Sequence, residues 1–311
     1  MRDAFARAIT DAARSRDDVI LVVADISPAA SLRTFLDENP TRIVDVGVSE
    51  QAMIGMAAGL AMTGLRPFAY TIAPFALYRP LEQIRVDLAY QNLPVVVIGV
   101  GGGLSYSALG ATHHTMEDVA IAGVIPNMTV IAPCDPLETQ EAVTGTFDLS
   151  GPAYLRLGKA GEPNLTTDAP ESFVIGKIRQ IQRGTGTAVL GYGPILEMAV
   201  RAAEQAAPNG VTPSIYSVHT IKPLDVDRVD QILSAYDRVV VLEEHVHRGG
   251  LGMQVQARAQ EVGAATHITA LHLADAFLHT YGSRTDLLAA HGITIESVAS
   301  AILGTKARSS G

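Results

Sequence analysis

Four things are scarce or missing in this chain, and each closes off a class of protein. A single cysteine, Cys134, permits no internal disulfide, which fits a reducing cytoplasm. No apolar run reaches the ~18 residues that a membrane span requires, and the start, Met1-Arg-Asp-Ala-Phe5, lacks the basic-then-apolar pattern of a secretory leader. Positive charge is in deficit: the net charge is −9, which argues against nucleic acid or an anionic membrane as the main partner. Finally, nothing reads as a cradle for a pyrophosphate or a metal. The glycine-rich segment Gly99-Val-Gly-Gly-Gly-Leu104 has no third glycine opening a helix, and Gly191-Tyr-Gly193 lacks its last glycine. Both read better as tight strand exits than as dinucleotide loops. The expectation is a cytoplasmic protein, half of whose site must come from elsewhere.

What is present is ample apolar mass. The 311 residues are 48% hydrophobic and 18% charged, enough for two well-buried domains. Helical periodicity runs over Arg2–Ser15, Ser49–Met62, Leu81–Tyr90 and Pro136–Gly145. Ser49 stands as N-cap and Gly64 as stop for the second of these. Between them lie apolar runs expected as strands: 19–24, 42–46, 67–72, 94–100, 128–132 and 152–157. The run from Pro94 to Val100 is apolar throughout, as a parallel strand covered on both faces should be. Strands alternating with helices imply a doubly wound α/β sheet.

Composition shifts over Gly158–Ser172, rich in proline and poor in large apolar residues, and this stretch reads as a linker. Alternation then resumes. Strands are expected at 187–192, 213–218, 238–243 and 267–273, and helices at 195–207, 226–236, 251–262 and 295–303. Two domains follow, 1–165 and 173–311.

Glu50 carries the most information. In Val46-Gly-Val-Ser-Glu-Gln-Ala-Met53 it leaves an apolar strand and opens a helix of small residues, Ala52, Gly55, Ala57, Ala58 and Gly59. A charge sits where a hydrophobe would fold more easily. On local sequence alone, a first-turn acid answering the helix dipole explains it more simply. His113 and His114 follow the strand at 94–100, and as neighbours in an extended loop they point opposite ways. Glu117-Asp118 should open the next helix. Phe75 and Tyr78 follow the strand at 67–72 and could present a flat ring to a ligand, although core packing is the ordinary fate of such residues. In Glu243-Glu-His-Val-His247, His245 and His247 share a strand face and could both ligate a metal. No third ligand stands at useful spacing, and a strand end with solvated polar residues is the better reading.

Taken in order, these segments resemble the C-terminal half of transketolase-type enzymes that use thiamine diphosphate. The resemblance runs from Arg2 to about Leu303. It is carried by Asp45-Val-Gly-Val-Ser-Glu-Gln51, Gly110-Ala-Thr-His113 with Glu117-Asp118, and Ile125-Pro-Asn-Met-Thr-Val-Ile-Ala-Pro133. Thr220-Ile-Lys-Pro-Leu-Asp225 and Glu243-Glu-His245 with Gly249-Gly-Leu-Gly252 complete it. It implies a pyrimidine-binding domain followed by a transketolase C-terminal domain, the small subunit of a split enzyme. The family's Gly-Asp-Gly motif, which holds the diphosphate through Mg2+, is absent. A partner N-terminal subunit would therefore bring the metal, in a heterotetramer of two pairs.

The resemblance also assigns roles. Glu50 is similar to the glutamate that bonds the aminopyrimidine ring nitrogen and so drives loss of the thiazolium proton. Phe75 matches the aromatic that packs on that ring, with Ile72 where many relatives have a second phenylalanine. Asp25 matches an aspartate near the cofactor. His113 matches a histidine contacting substrate oxygens, while Arg2 and Lys159 fall near arginines that bind the substrate phosphate. The departures concern the sugar. Gly101 replaces a second histidine, Leu109 an aspartate and Ala29 a phosphate-binding serine; Lys159 turns a bidentate fork into a point charge. Losing groups that read hydroxyls changes substrate choice, so a specialised sugar, unphosphorylated or modified, is expected. The rival readings are the beta subunit of a 2-oxo-acid dehydrogenase, a noncatalytic scaffold subunit, and a single-chain protein that binds NAD.

Overall fold

Short, largely apolar runs set the strands. Val19–Val23 forms β1 with every residue buried, as do Val96–Val100 (β4) and Ala153–Leu157 (β6). Burial on both faces suits strands sandwiched between helix layers. The computed structural model describes residues 1–24 and 30–305. The first-half order is α1 (Arg2–Ser15), β1, α2 (Arg33–Glu38), β2 (Ile43–Asp45), α3 (Glu50–Met62), β3 (Arg66–Ile72) and α4 (Ala73–Leu77). Next come α5 (Leu81–Gln83), β4, α6 (Asp118–Gly123), β5 (Thr129–Ile131), α7 (Pro136–Thr146) and β6. The single helix expected over Leu81–Tyr90 is instead one α-helical turn that continues as a π-helix, Ile84–Tyr90.

The second half adds β7 (Arg179–Gln182), β8 (Thr187–Gly191), α8 (Leu196–Ala206), β9 (Ser214–Ser217), β10 (Thr220–Lys222) and α9 (Val226–Ala235). It ends with β11 (Arg238–Val246), α10 (Leu251–Val262), β12 (His267–Leu273), α11 (Arg284–Ala290) and α12 (Ile295–Leu303). The strands form two sheets, β10-β5-β6-β4-β3-β1-β2 and β12-β11-β8-β9-β7. Pairing is parallel apart from two edges, β10 against β5 and β7 against β9. The α/β class with two wound sheets is as expected. One strand crosses the divide: β10 follows the second sheet's β9 in the chain, yet it pairs with the first sheet.

The packing explains why the halves hold together. On one face of the first sheet, Phe5 and Ile9 of α1 and Val143 of α7 cover Leu21, Phe68 and Ile98. On the other, Met53, Ile54 and Ala57 of α3 cover Val22, Ala69 and Val97. That core continues without a break to Leu190, Val239 and Val241 of the second sheet. The outer face of the second sheet is closed by α8 and α12 through Leu196, Ala199 and Val298. Among the described residues, no single helix is long and apolar enough to cross a membrane.

The strand expected to end at Glu243 runs on to Val246, and its polar residues are buried, not solvated. Each has a task. The Glu243 carboxylate accepts from the backbone N–H groups of Leu251 (2.8 Å) and Gly252 (2.9 Å), closing the start of α10. Burial pushes this carboxyl above its usual range. Glu244 accepts from Leu104 N at 2.7 Å and pairs with Arg284 at 2.5 Å. His245 Nε2 accepts from Ala120 N at 3.2 Å while Nδ1 lies 2.6 Å from Val246 O. That arrangement makes Nδ1 the protonated nitrogen and leaves this imidazole no lone pair for a metal.

Candidate functional site

In a doubly wound sheet, ligands sit where the strands end at their carboxyl edge. Four strands of the first sheet deliver the candidate residues there. Glu50 follows β2, Phe75 follows β3, the loop from Gly101 to Asp118 follows β4, and Lys159 follows β6. The α1 helix begins at the same edge and brings Arg2. Asp25 and Ala29, which follow β1, lie outside the described residues.

Glu50 opens α3 and is only 2% exposed. Ser49 sits at the N-cap position but makes no side-chain cap bond. The acid therefore stands alone at the helix start, where free N–H groups favour negative charge. Its Oε1 accepts from Arg79 Nη1 at 2.7 Å. Arg79 also lies over Phe75, with Cζ 3.9 Å from the ring centre. Phe75 in turn meets the His113 imidazole edge-on at 5.2 Å between ring centres. His113 meets Tyr106 at 5.9 Å, and Lys159 Nζ stands 5.1 Å above the Tyr106 ring.

The fold thus gathers Glu50, Phe75, His113 and Lys159 into one line of contacts. Arg79 and Tyr106, to which sequence reasoning gave no role, are the links. Arg2 borders the line: its guanidinium opposes the rise that burial imposes on the Tyr106 hydroxyl. Among the described residues Arg2 Nε is a buried donor with no hydrogen bond, although the group lies 3.8 Å from Asp3. Ile72 ends β3, half-buried, directly before α4.

The loop after β4 is folded tightly, not extended. His113 N and His114 N both donate to Gly110 O. The two imidazoles still divide their tasks. His113 lines the site with Nδ1 2.9 Å from Thr112 Oγ1, and His114 is buried against Ser107 O. Tyr78 packs against the core; its hydroxyl donates to Glu117 Oε2 at 3.1 Å, and burial pushes it above its ordinary range.

The glycines here make room for side chains, not phosphates. A Cβ on Gly101 would lie 2.1 Å from the Tyr106 ring, one on Gly102 2.6 Å from Arg156, and one on Gly103 2.6 Å from Glu244. Gly101 also has φ +82°, a conformation natural to glycine.

A flat, basic heteroaromatic ring fits this edge. Glu50 is buried at this edge with Oε2 free of hydrogen bonds among the described residues, and Phe75 stands beside it with its ring under the Arg79 guanidinium, itself a flat cation. A divalent ion fits poorly: among the described residues, no three His, Cys, Asp or Glu side chains converge.

Residues 1–162 match the family described as transketolase, pyrimidine binding domain, and residues 176–298 match transketolase, C-terminal domain. One of the subunits of the apulose-4-phosphate transketolase of Phocaeicola vulgatus is 34% identical over 251 residues, 81% of this chain and 80% of that protein. The 6-deoxy-6-sulfo-D-fructose transketolase subunit SqwH of Clostridium sp. (strain MSTE9) is also 34% identical, over 81% of this chain and 78% of its own. A solved structure titled "Split gene transketolase, inactive beta4 tetramer" superposes with a TM-score of 0.88 at 28% identity. It covers 98% of this chain and 97% of that one.

Proposed function

The chain belongs to the transketolase family, and we propose that it is the small subunit of a split, thiamine-diphosphate-dependent transketolase that moves a two-carbon ketol unit between specialised sugars. One observation carries the reading. Glu50, Phe75 and His113 converge at one sheet edge in a chain whose described residues hold no metal-ligand cluster. That is half of a cofactor site, and the other half, with Mg2+ and the Gly-Asp-Gly motif, belongs to a partner subunit. We divide the chain into domains 1–165 and 173–311 and place the protein in the cytoplasm.

When bound, thiamine diphosphate supplies the carbon nucleophile that takes up the two-carbon unit. The protein's own groups prepare it. Glu50 Oε2 holds a proton against the aminopyrimidine nitrogen, and burial keeps water from competing for that bond. Phe75 sets the plane of the ring beside Ile72, and Asp25 keeps the role near the cofactor that the family resemblance gives it. His113 hydrogen-bonds the oxygens of the sugar, and Arg2 and Lys159 receive an anionic end. The buried Nε of Arg2, lacking a hydrogen bond among the described residues, supports that role. Both relatives named above act, by their names, on sugars with an acidic substituent, phosphate in one and sulfo in the other.

A partner surface adjoins the site. The side of α3 away from the sheet exposes Ala52, Gly55, Met56, Gly59 and Met62, the last at 57% exposure. Small residues on an uncovered apolar helix face let another chain approach closely. This supports activity only with the partner, in a heterotetramer of two pairs.

The deciding experiment follows deuterium exchange at the cofactor's acidic carbon in the assembled pair with Mg2+. Glu50→Gln should slow exchange by about 10²–10⁴ while the pair still assembles. Undiminished exchange in that variant would falsify the reading.

A further inference from the structure

Arg79 makes the two contacts that a cofactor ring would need. Its Nη1 bonds Glu50 Oε1 at 2.7 Å, and its Cζ stands 3.9 Å over the centre of the Phe75 ring. A guanidinium is flat, cationic and delocalised, and so is a protonated aminopyrimidine. Phe75 is only 8% exposed, so the ring has little face left for a second flat group.

We propose that Arg79 is a placeholder, a positioning residue that occupies the pyrimidine half-site and is displaced by the cofactor's ring when the site is assembled. This rests on the cofactor use proposed above and goes beyond it, because it assigns this chain a closed and an open form. The closed form has a physical reason. A carboxylate as deeply buried as Glu50 is costly without a counter-charge, and Arg79 provides one in the chain by itself. Departure is also open to it. The Arg79 side chain is 43% exposed, and among the described residues its guanidinium has no acceptor besides Glu50. Gln51 Nε2 donates to Arg79 O at 3.4 Å, so the backbone stays anchored while the side chain moves.

The closed form should tax cofactor binding by the fraction of time the site is open. The test compares wild type, Arg79→Ala and Arg79→Gln, each assembled with the partner subunit and Mg2+. Uptake of thiamine diphosphate is followed by near-ultraviolet circular dichroism. If wild type is open about one-tenth of the time, both variants should bind on the order of tenfold more tightly. The gain should come from faster association, with dissociation unchanged. Weaker binding in both variants would make Arg79 a cofactor ligand, and equal binding would make it a bystander; either overturns the proposal.

Melting of the full chain alone gives the second readout. Arg79→Ala should lower the midpoint in wild type and not in a Glu50→Gln background. Equal loss in both backgrounds means a packing contact and sinks the placeholder. A wild-type pair that takes up no cofactor sinks the functional reading itself. A wild-type pair that binds, with variants that bind no faster, sinks only this inference.

Discussion

Arg156 Nε stands 2.7 Å from Asp118 Oδ2, with the two side chains 2% and 0% exposed. Asp118 also accepts from the Tyr154 hydroxyl at 2.9 Å. Arg156 Nη2 reaches the carbonyls of Glu244 at 3.0 Å and Thr115 at 3.3 Å. One guanidinium therefore ties the first sheet, the start of α6, the histidine loop and the second sheet together. Burial disfavours its charge, but Asp118 together with the Tyr192 and Tyr154 hydroxyls outweighs that effect and holds it above the ordinary range.

Truncating Arg156 should therefore unfold more than it inactivates. Arg156→Ala leaves the Asp118 carboxylate buried without a counter-charge, with the Tyr154 hydroxyl still donating to it, at a cost of about 3–5 kcal/mol. Arg156→Met with Asp118→Asn should recover a large part of that. Urea unfolding of the three chains checks it. Equal stability of wild type and Arg156→Ala would show that the pair does not hold the sheets together.

The pairing of Gly101 with Tyr106 predicts a substitution with two separable penalties. In Gly101→Ala, the new Cβ meets the Tyr106 ring at 2.1 Å, and φ stays at +82°. Strain at such a backbone costs about 1–3 kcal/mol. The displaced ring also loses its contacts with His113 and Lys159. Adding Tyr106→Ala should relieve the collision and not the backbone strain, so the double variant melts between Gly101→Ala and wild type. A double variant no more stable than Gly101→Ala would put the whole cost in the backbone.

The sequence was legible where periodicity is strong and local. The long helices and the apolar parallel strands fall where spacing places them, because each buries its face with its own residues. What escaped was short or distant. The three residues of β10 and the four of β7 are too few for alternation to register. The α11 helix was missed although its capping box, Ser283 with Asp286, is written in the chain. The burial of Glu243 to His245 was misread because polar residues look solvated until their partners are known. Arg79 and Glu50 lie 29 positions apart, and no pattern in one chain pairs them. Tyr106 acquires meaning only through the glycine beneath it.

His113 meets the Phe75 and Tyr106 rings, and its proposed role is at the sugar's oxygens, so its removal should separate sugar chemistry from cofactor chemistry. His113→Ala should lower kcat with a ketose donor by about 10²–10³, the usual loss of one well-placed donor at a reacting oxygen. Deuterium exchange on the bound cofactor should stay within a few-fold of wild type. Steady-state rates and exchange on one preparation decide this. Loss of exchange alongside turnover would place His113 on the cofactor side.

His219 yields the clearest dependence on pH. Its ring stacks on Phe173 at 4.0 Å between centres, and Nδ1 lies 3.1 Å from Thr220 Oγ1. Burial, with help from the nearby Arg179 charge, pushes its pKa down to about 3. The unfolded chain takes a proton at this imidazole below roughly pH 6.5, and the folded chain does so only near the lowered value. Its contribution to stability is complete above the unfolded pKa and shrinks as pH falls from there towards 3. The slope is at most about 1.4 kcal/mol per pH unit. His219→Phe keeps the stack and removes the proton, so wild type should lose ground to the variant steadily from pH 6.5 to 4. Neighbouring groups such as Glu138, whose pKa burial raises, stay in both chains and cancel in the difference. Urea unfolding at pH 8, 6, 5 and 4 reads that difference directly, and parallel stability curves would mean that His219 accepts its proton in the fold.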